Sequence, residues 1–98
     1  MLTIEEIKER ITPICRQYGV KKAYLFGSYA RGEAKPSSDV DVRIESGKIR
    51  SLFQLSGFRL DLVEALGREV DLLSVLPDPK YRIFRKNLLR DEMLLYED

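Results

Sequence analysis

Histidine is absent from the 98-residue chain, and cysteine occurs once, at Cys15. The first absence removes Ser-His and Cys-His catalysis together with the commonest zinc ligand. A lone cysteine cannot close a disulfide within the chain. No apolar run is long enough for an export segment or a membrane span, and cytoplasmic residence is the default expectation. Neither an internal repeat nor a low-complexity tract occurs. Excess charge is missing too: 17 Lys and Arg against 16 Asp and Glu leave +1, which gives no support to a broad basic surface for nucleic acid. Any chemistry must therefore run on carboxylates, hydroxyls, amides and bound ions.

A content of 44% hydrophobic and 34% charged residues is that of a soluble globular protein. The length predicts one domain, residues 1–98, around one core. Thr3 with Glu6 reads as a capping box, and Ile4, Ile7, Ile11, Ile14 and Tyr18 follow at helical spacing, so a first helix is expected over about Thr3 to Tyr18. Pro13 should kink it or split off its last turn. Val20 to Phe26 is β-branched and aromatic enough for a strand, and Ser28 to Ala34 suits a helical turn or two. Beyond the Lys35-Pro36-Ser37-Ser38 loop, Val40, Val42 and Ile44 alternate with Asp39, Asp41 and Arg43 as in a two-faced strand. Ile49 to Leu66 is predicted helical with Gly67 at its C-cap, and Glu69 to Val75 a third strand. Pro77-Asp78-Pro79 marks a turn, Tyr81 to Leu89 a last helix, and Met93 to Tyr96 a short edge strand.

The alternation places Asp39 and Asp41 on one strand face, with Cα atoms about 7 Å apart. Paired carboxylates repel unless a cation lies between them, and oxygen-only ligation of this kind suits Mg²⁺. Two such ions can clamp the attacking and leaving oxygens of a phosphoryl displacement. Asp71, inside Glu69-Val70-Asp71-Leu72-Leu73, joins the same face if its strand pairs beside the first. A buried acid there needs a partner, which Arg31, Arg43 or a metal can each supply. The ordinary reading of Asp-x-Asp is a solvated strand edge.

Gly27-Ser28 falls between a strand and a short helical segment, where free N–H groups and a serine hydroxyl suit an anion, with Arg31 close in sequence. Taken alone, the pair is an ordinary turn with an N-capping serine. Gly27, Ser28, Asp39 and Asp41 together should coincide by accident in on the order of one chain per thousand of this length.

Gly27-Ser28-Tyr29-Ala30-Arg31-Gly32 followed by Ser38-Asp39-Val40-Asp41 resembles the signature of the polymerase-beta-like nucleotidyltransferase superfamily, and above all its minimal members of the MNT or MntA type. The likeness extends through Gly67 to Leu73 and covers nearly the whole chain. It implies an α/β (α+β) nucleotidyltransferase fold, a small mixed β-sheet backed by helices. It implies that Gly27 and Ser28 hold the outer phosphates of a nucleoside triphosphate such as ATP; Arg31 is near enough in sequence to help. Asp39 and Asp41 would carry two Mg²⁺ ions, and Asp71 would hold the catalytic ion and help deprotonate the acceptor hydroxyl. The implied reaction is attack of that hydroxyl on the α-phosphate with release of pyrophosphate. Members of this type are commonly antitoxins paired with a HEPN-domain ribonuclease toxin, and some adenylylate a tyrosine on it. The other reading is a binding module that neutralises its partner by contact, with a vestigial site. Transfer to a small molecule such as an aminoglycoside is disfavoured, because larger relatives carry an acceptor domain for which 98 residues leave no room.

Arg43 departs from this pattern, falling on the face of Asp39 and Asp41 where an aliphatic residue is usual. An arginine there can screen the carboxylates, grip a phosphate, or snorkel to the strand end, which is its commonest behaviour. The helix from Ile49 carries apolar side chains over about 240° of its circumference, more than one core-facing stripe needs. Either a partner or second copy covers the excess, or its N-terminal part is loop or wraps under the sheet. Tyr81, Arg82, Arg85, Lys86 and Arg90 give the last helix a basic side that could steer a nucleotide or an acidic partner, though such a side is usually only solvated.

Overall fold

A computed structural model describes residues 1–74 and 79–98. Thr3 caps the first helix, α1 (Ile4–Tyr18), through the expected reciprocal capping box with Glu6, and Gly19 closes it in the left-handed conformation at φ 70°. Pro13 does not divide this helix. Its missing N–H leaves the carbonyl one turn back, at Glu9, without its helical donor, and both residues lie on the exposed side of the helix.

The other elements are strand β1 (Lys22–Phe26), a single turn α2 (Gly27–Ala30), strand β2 (Val40–Glu45), helix α3 (Leu52–Leu66), strand β3 (Val70–Leu73), helix α4 (Arg82–Asp91) and strand β4 (Met93–Glu97). α2 is shorter than the sequence suggests, and α4 starts and ends later. A 3₁₀ turn over Pro79–Tyr81 leads into α4. The expected extension of β3 to Val75 and the turn at Pro77-Asp78 lie outside the described residues.

The strands form one mixed sheet in the order β3-β2-β1-β4. β1 runs antiparallel to both β2 and β4, while β2 and β3 are parallel, joined by α3 as a crossover. One face, with Ala23, Leu25, Val40, Val42, Ile44 and Val70, packs against Ile7, Ile11 and Cys15 of α1 and Phe58, Leu62 and Leu66 of α3. Burial pushes the Cys15 thiol up to about 12, so the only cysteine is a core side chain without thiolate chemistry.

α3 begins at Leu52 rather than Ile49, with Ser51 as its N-cap. Ile49 tucks into the core from the preceding loop, as one of the two expectations had it. Leu52, Phe53 and Leu60 still face solvent, Phe53 with 89% of its surface exposed. No described helix is long and apolar enough to cross a membrane.

Candidate active site

The second face of the sheet carries the chemistry. Asp41 is the register partner of Asp71 across the parallel β2–β3 pair, so their side chains leave the same face from strands about 4.8 Å apart. Asp39 precedes β2 by one residue and is exposed. Asp41 also pairs with Phe26, the last residue of β1, which brings the Gly27 turn directly over it.

That placement explains the glycine. Gly27 has φ 69°, and a Cβ built there would run into the Asp41 carboxylate, with Cγ only 2.9 Å away. A methyl group would therefore cost backbone strain of about 1–2 kcal/mol and would also push Asp41 from its position. Gly27→Ala is expected to lower nucleotidyl transfer by roughly a hundredfold, read as kcat. Wild-type turnover in the variant would show that the close approach is unnecessary.

Burial, then the neighbouring charges of Asp71 and Asp39, push the Asp41 carboxyl up to about 6, against the opposing pull of Arg31. The acids are thus close enough to repel. Among the described residues, however, no three acid, histidine or cysteine side chains are drawn together as a ready-made metal cage. The donors are oxygens presented from one side, which leaves coordination positions for phosphate and water in the way Mg²⁺ prefers.

A cleft of about 360 Å³ opens over these residues, lined by Phe26, Gly27, Arg31, Asp41 and Asp71 on one side and by Phe84, Asn87, Leu88 and Asp91 of α4 on the other. Of the sequence candidates it gathers Gly27, Arg31, Asp41 and Asp71, while Ser28 and Asp39 flank it without lining it. Arg31 is exposed and shares its Nε with Glu33 at 3.2 Å. The wall from α4 is not among the sequence candidates. Its residues recur at three- and four-residue steps, which marks one helix face, but only the tertiary fold sets that face against the carboxylates.

Arg43 has a different role from those weighed for it near the carboxylates. Its Nε and Nη2 donate to Glu92 Oε2 and Oε1 at 2.9 and 2.8 Å, and its guanidinium lies 4.4 Å from the Tyr24 ring centroid. The Glu92 bond raises the Arg43 pKa further and outweighs burial. Arg43 is committed away from Asp41, and the cation acting on Asp41 is Arg31.

Carboxylates on adjacent strands, a glycine turn over them and an open cleft above suit the transfer of a phosphoryl-linked group, the chemistry of a nucleotidyltransferase. The chain belongs to the nucleotidyltransferase domain family, whose model matches residues 6–96. It is 46% identical over 88 residues to a Methanocaldococcus jannaschii protein assigned to the protein adenylyltransferases, covering 87% of this chain and 95% of that one. The protein adenylyltransferase MntA of Thermococcus cleftensis is 40% identical over 77 residues, or 74% of this chain and 78% of the relative. The same fold occurs in the complex of tri-AMPylated Shewanella oneidensis HEPN toxin with its MNT antitoxin, at TM-score 0.69 and 17% identity, covering 98% of this chain and 74% of that one.

Proposed function

We propose that this nucleotidyltransferase is metal-dependent, that it moves AMP from ATP to a tyrosine hydroxyl of a HEPN-type toxin, and that it does so as the single domain 1–98, acting as an antitoxin. The observation that carries the reading is the register pairing of Asp41 with Asp71 beneath Gly27 in an open cleft. Relatives with protein adenylyltransferase activity in their names, and the AMPylated toxin bound to a protein of this fold, support the acceptor class.

In this reading Gly27 and Ser28 hold the outer phosphates through backbone and hydroxyl donors, and Arg31 reaches the same anion from the rim of the cleft. Asp39, Asp41 and Asp71 would hold two Mg²⁺ ions, which when bound supply Lewis-acid charge at the phosphates. The acceptor oxygen forms a bond to the α-phosphorus, the α–β P–O bond breaks, and pyrophosphate leaves. Asp71, exposed at the cleft wall, accepts the hydroxyl proton.

The alternative, a vestigial site with neutralisation by contact, rested on Arg43 as a screen for the carboxylates. Bound to Glu92, Arg43 no longer supports it.

Incubation with labelled ATP, Mg²⁺ and the HEPN-domain product of the adjacent reading frame should place one or more AMP groups on a tyrosine of that product. Chelation of the metal should abolish labelling, as should an Asp39→Ala, Asp41→Ala double variant. Labelling that ignores both treatments, or none from wild type, would sink the catalytic assignment for that partner.

A further inference from the structure

α4 does more than close the cleft. At 100° per residue, the row facing the carboxylates passes from Phe84 and Asn87 through Ile83 to Lys86 and Arg82 on the solvent side. Ile83 is 79% and Phe84 53% exposed, and both line a second hollow of about 400 Å³ with Tyr81 and Arg82. Phe84 belongs to both hollows, so the mouth of the cleft opens onto an apolar shelf.

Charge is equally uneven. Residues 79–91 hold five basic side chains and one acid, net +4, while the remainder of the chain is net −3. Arg90 is taken up by Asp91, and Lys80 lies over the Tyr81 ring at 5.3 Å. Arg82 and Lys86 have no ion-pair partner among the described residues. Large apolar side chains left in water beside unpaired cations mark an interaction surface, and its sign selects an acidic partner.

We propose that this shelf docks the acceptor, and that it takes an acidic polypeptide segment whose aromatic residue passes over Phe84 into the cleft. The inference rests on the cleft being a protein-modifying site. A polypeptide suits the shelf better than a nucleic acid does: Ile83 and Phe84 offer burial for side chains, and Ile83 gives no plane on which a base could stack. Phe84 gives an incoming tyrosine ring an aromatic neighbour on the side of the cleft facing Asp41.

The test uses the full chain with two fluorescent tyrosine peptides, one flanked by Asp and Glu and one by Lys, and a polyuridylate competitor. Binding is read by anisotropy without ATP, and AMP transfer to the HEPN-domain protein by label. Wild type should bind the acidic peptide about tenfold more tightly than the basic one. The Arg82→Glu, Lys86→Glu double variant should lose that preference and raise KM for the protein acceptor about tenfold, leaving KM for ATP within about twofold. Phe84→Ala should weaken binding of the acidic peptide without changing the charge preference. Equal binding of both peptides, an unaffected double variant, or preferential binding of polyuridylate overturns the shelf. The two readings can fail separately. Charge-dependent binding with no AMP transfer by wild type leaves the docking surface standing and removes the catalytic reading. Transfer indifferent to the charge reversal does the opposite.

Discussion

Asp41→Asn should abolish AMP transfer and at the same time make the nucleotide-free protein more stable at neutral pH. On the proposed function, the loss of activity, at least about a thousandfold, follows from removing a cleft carboxylate that would help stabilise charge on the reacting phosphate. The gain in stability follows from the cause of the raised pKa. Folding buries Asp41 between Asp71 and Asp39 and lifts its carboxyl from 3.8 to about 6. Between these values the folded state binds more protons than the unfolded one, so stability falls as pH rises from about 4 to about 6 and stays lowered above that. Asparagine carries no charge to repel. Asp41 is only half-buried, so solvent screening leaves a gain of about 1 kcal/mol, or roughly 4–8 °C in Tm for a domain of this size.

Melting curves at several pH values check the sign. The variant should exceed wild type at pH 7, and the two should converge near pH 4, where wild type is itself protonated. Mg²⁺ should raise the Tm of wild type and leave the variant nearly unmoved, because the cation relieves repulsion that asparagine has already removed. A variant that melts below wild type at pH 7 would mean that the carboxylate is held by a compensating donor, and the strain argument would fall.

How much of this was readable beforehand depended on the range of the interaction. The capping box at Thr3 and Glu6, the Gly67 cap and the β2 alternation are local, and each appears where the sequence puts it. Asp71 required one further assumption, that its strand lies beside β2, and the parallel register supplies it. Of the two outcomes expected at Pro13, a separate last turn does not occur: the residue is exposed and the helix runs on through it to Tyr18. The α4 wall and the Arg43–Glu92 pair were out of reach. Glu92 lies 49 residues from Arg43, and nothing in the local pattern of either residue signals the other. Charge on a strand face reads the same whether its partner is a phosphate, an acid or water.

That pair should also be the most sensitive polar contact in the fold. The side chains of Arg43 and Glu92 are only 8% and 10% exposed, and the guanidinium meets the carboxylate through two parallel bonds. Arg43→Ala leaves Glu92 as a buried, unpaired charge, which costs about 3–5 kcal/mol. A domain of this size has about 5–15 kcal/mol in total, so the variant should lose roughly 15 °C or more in Tm. Arg43→Lys keeps the charge but loses the fork and the stacking on Tyr24, and should fall between. Arg43→Leu with Glu92→Leu removes both charges and should recover most of the loss, since well-packed apolar pairs replace buried ion pairs at little cost. Chemical denaturation of the four proteins decides it, and a cost below about 1 kcal/mol for Arg43→Ala would place the pair among solvent-screened surface bridges. The pair matters to the cleft because Glu92 directly follows α4. Its bonds tie the end of that helix to the middle of β2, one pleat from Asp41, and so fix the distance between the α4 wall and the carboxylates. The double leucine variant should therefore fold yet bind its acceptor less well, separating what the pair does for stability from what it does for the width of the cleft.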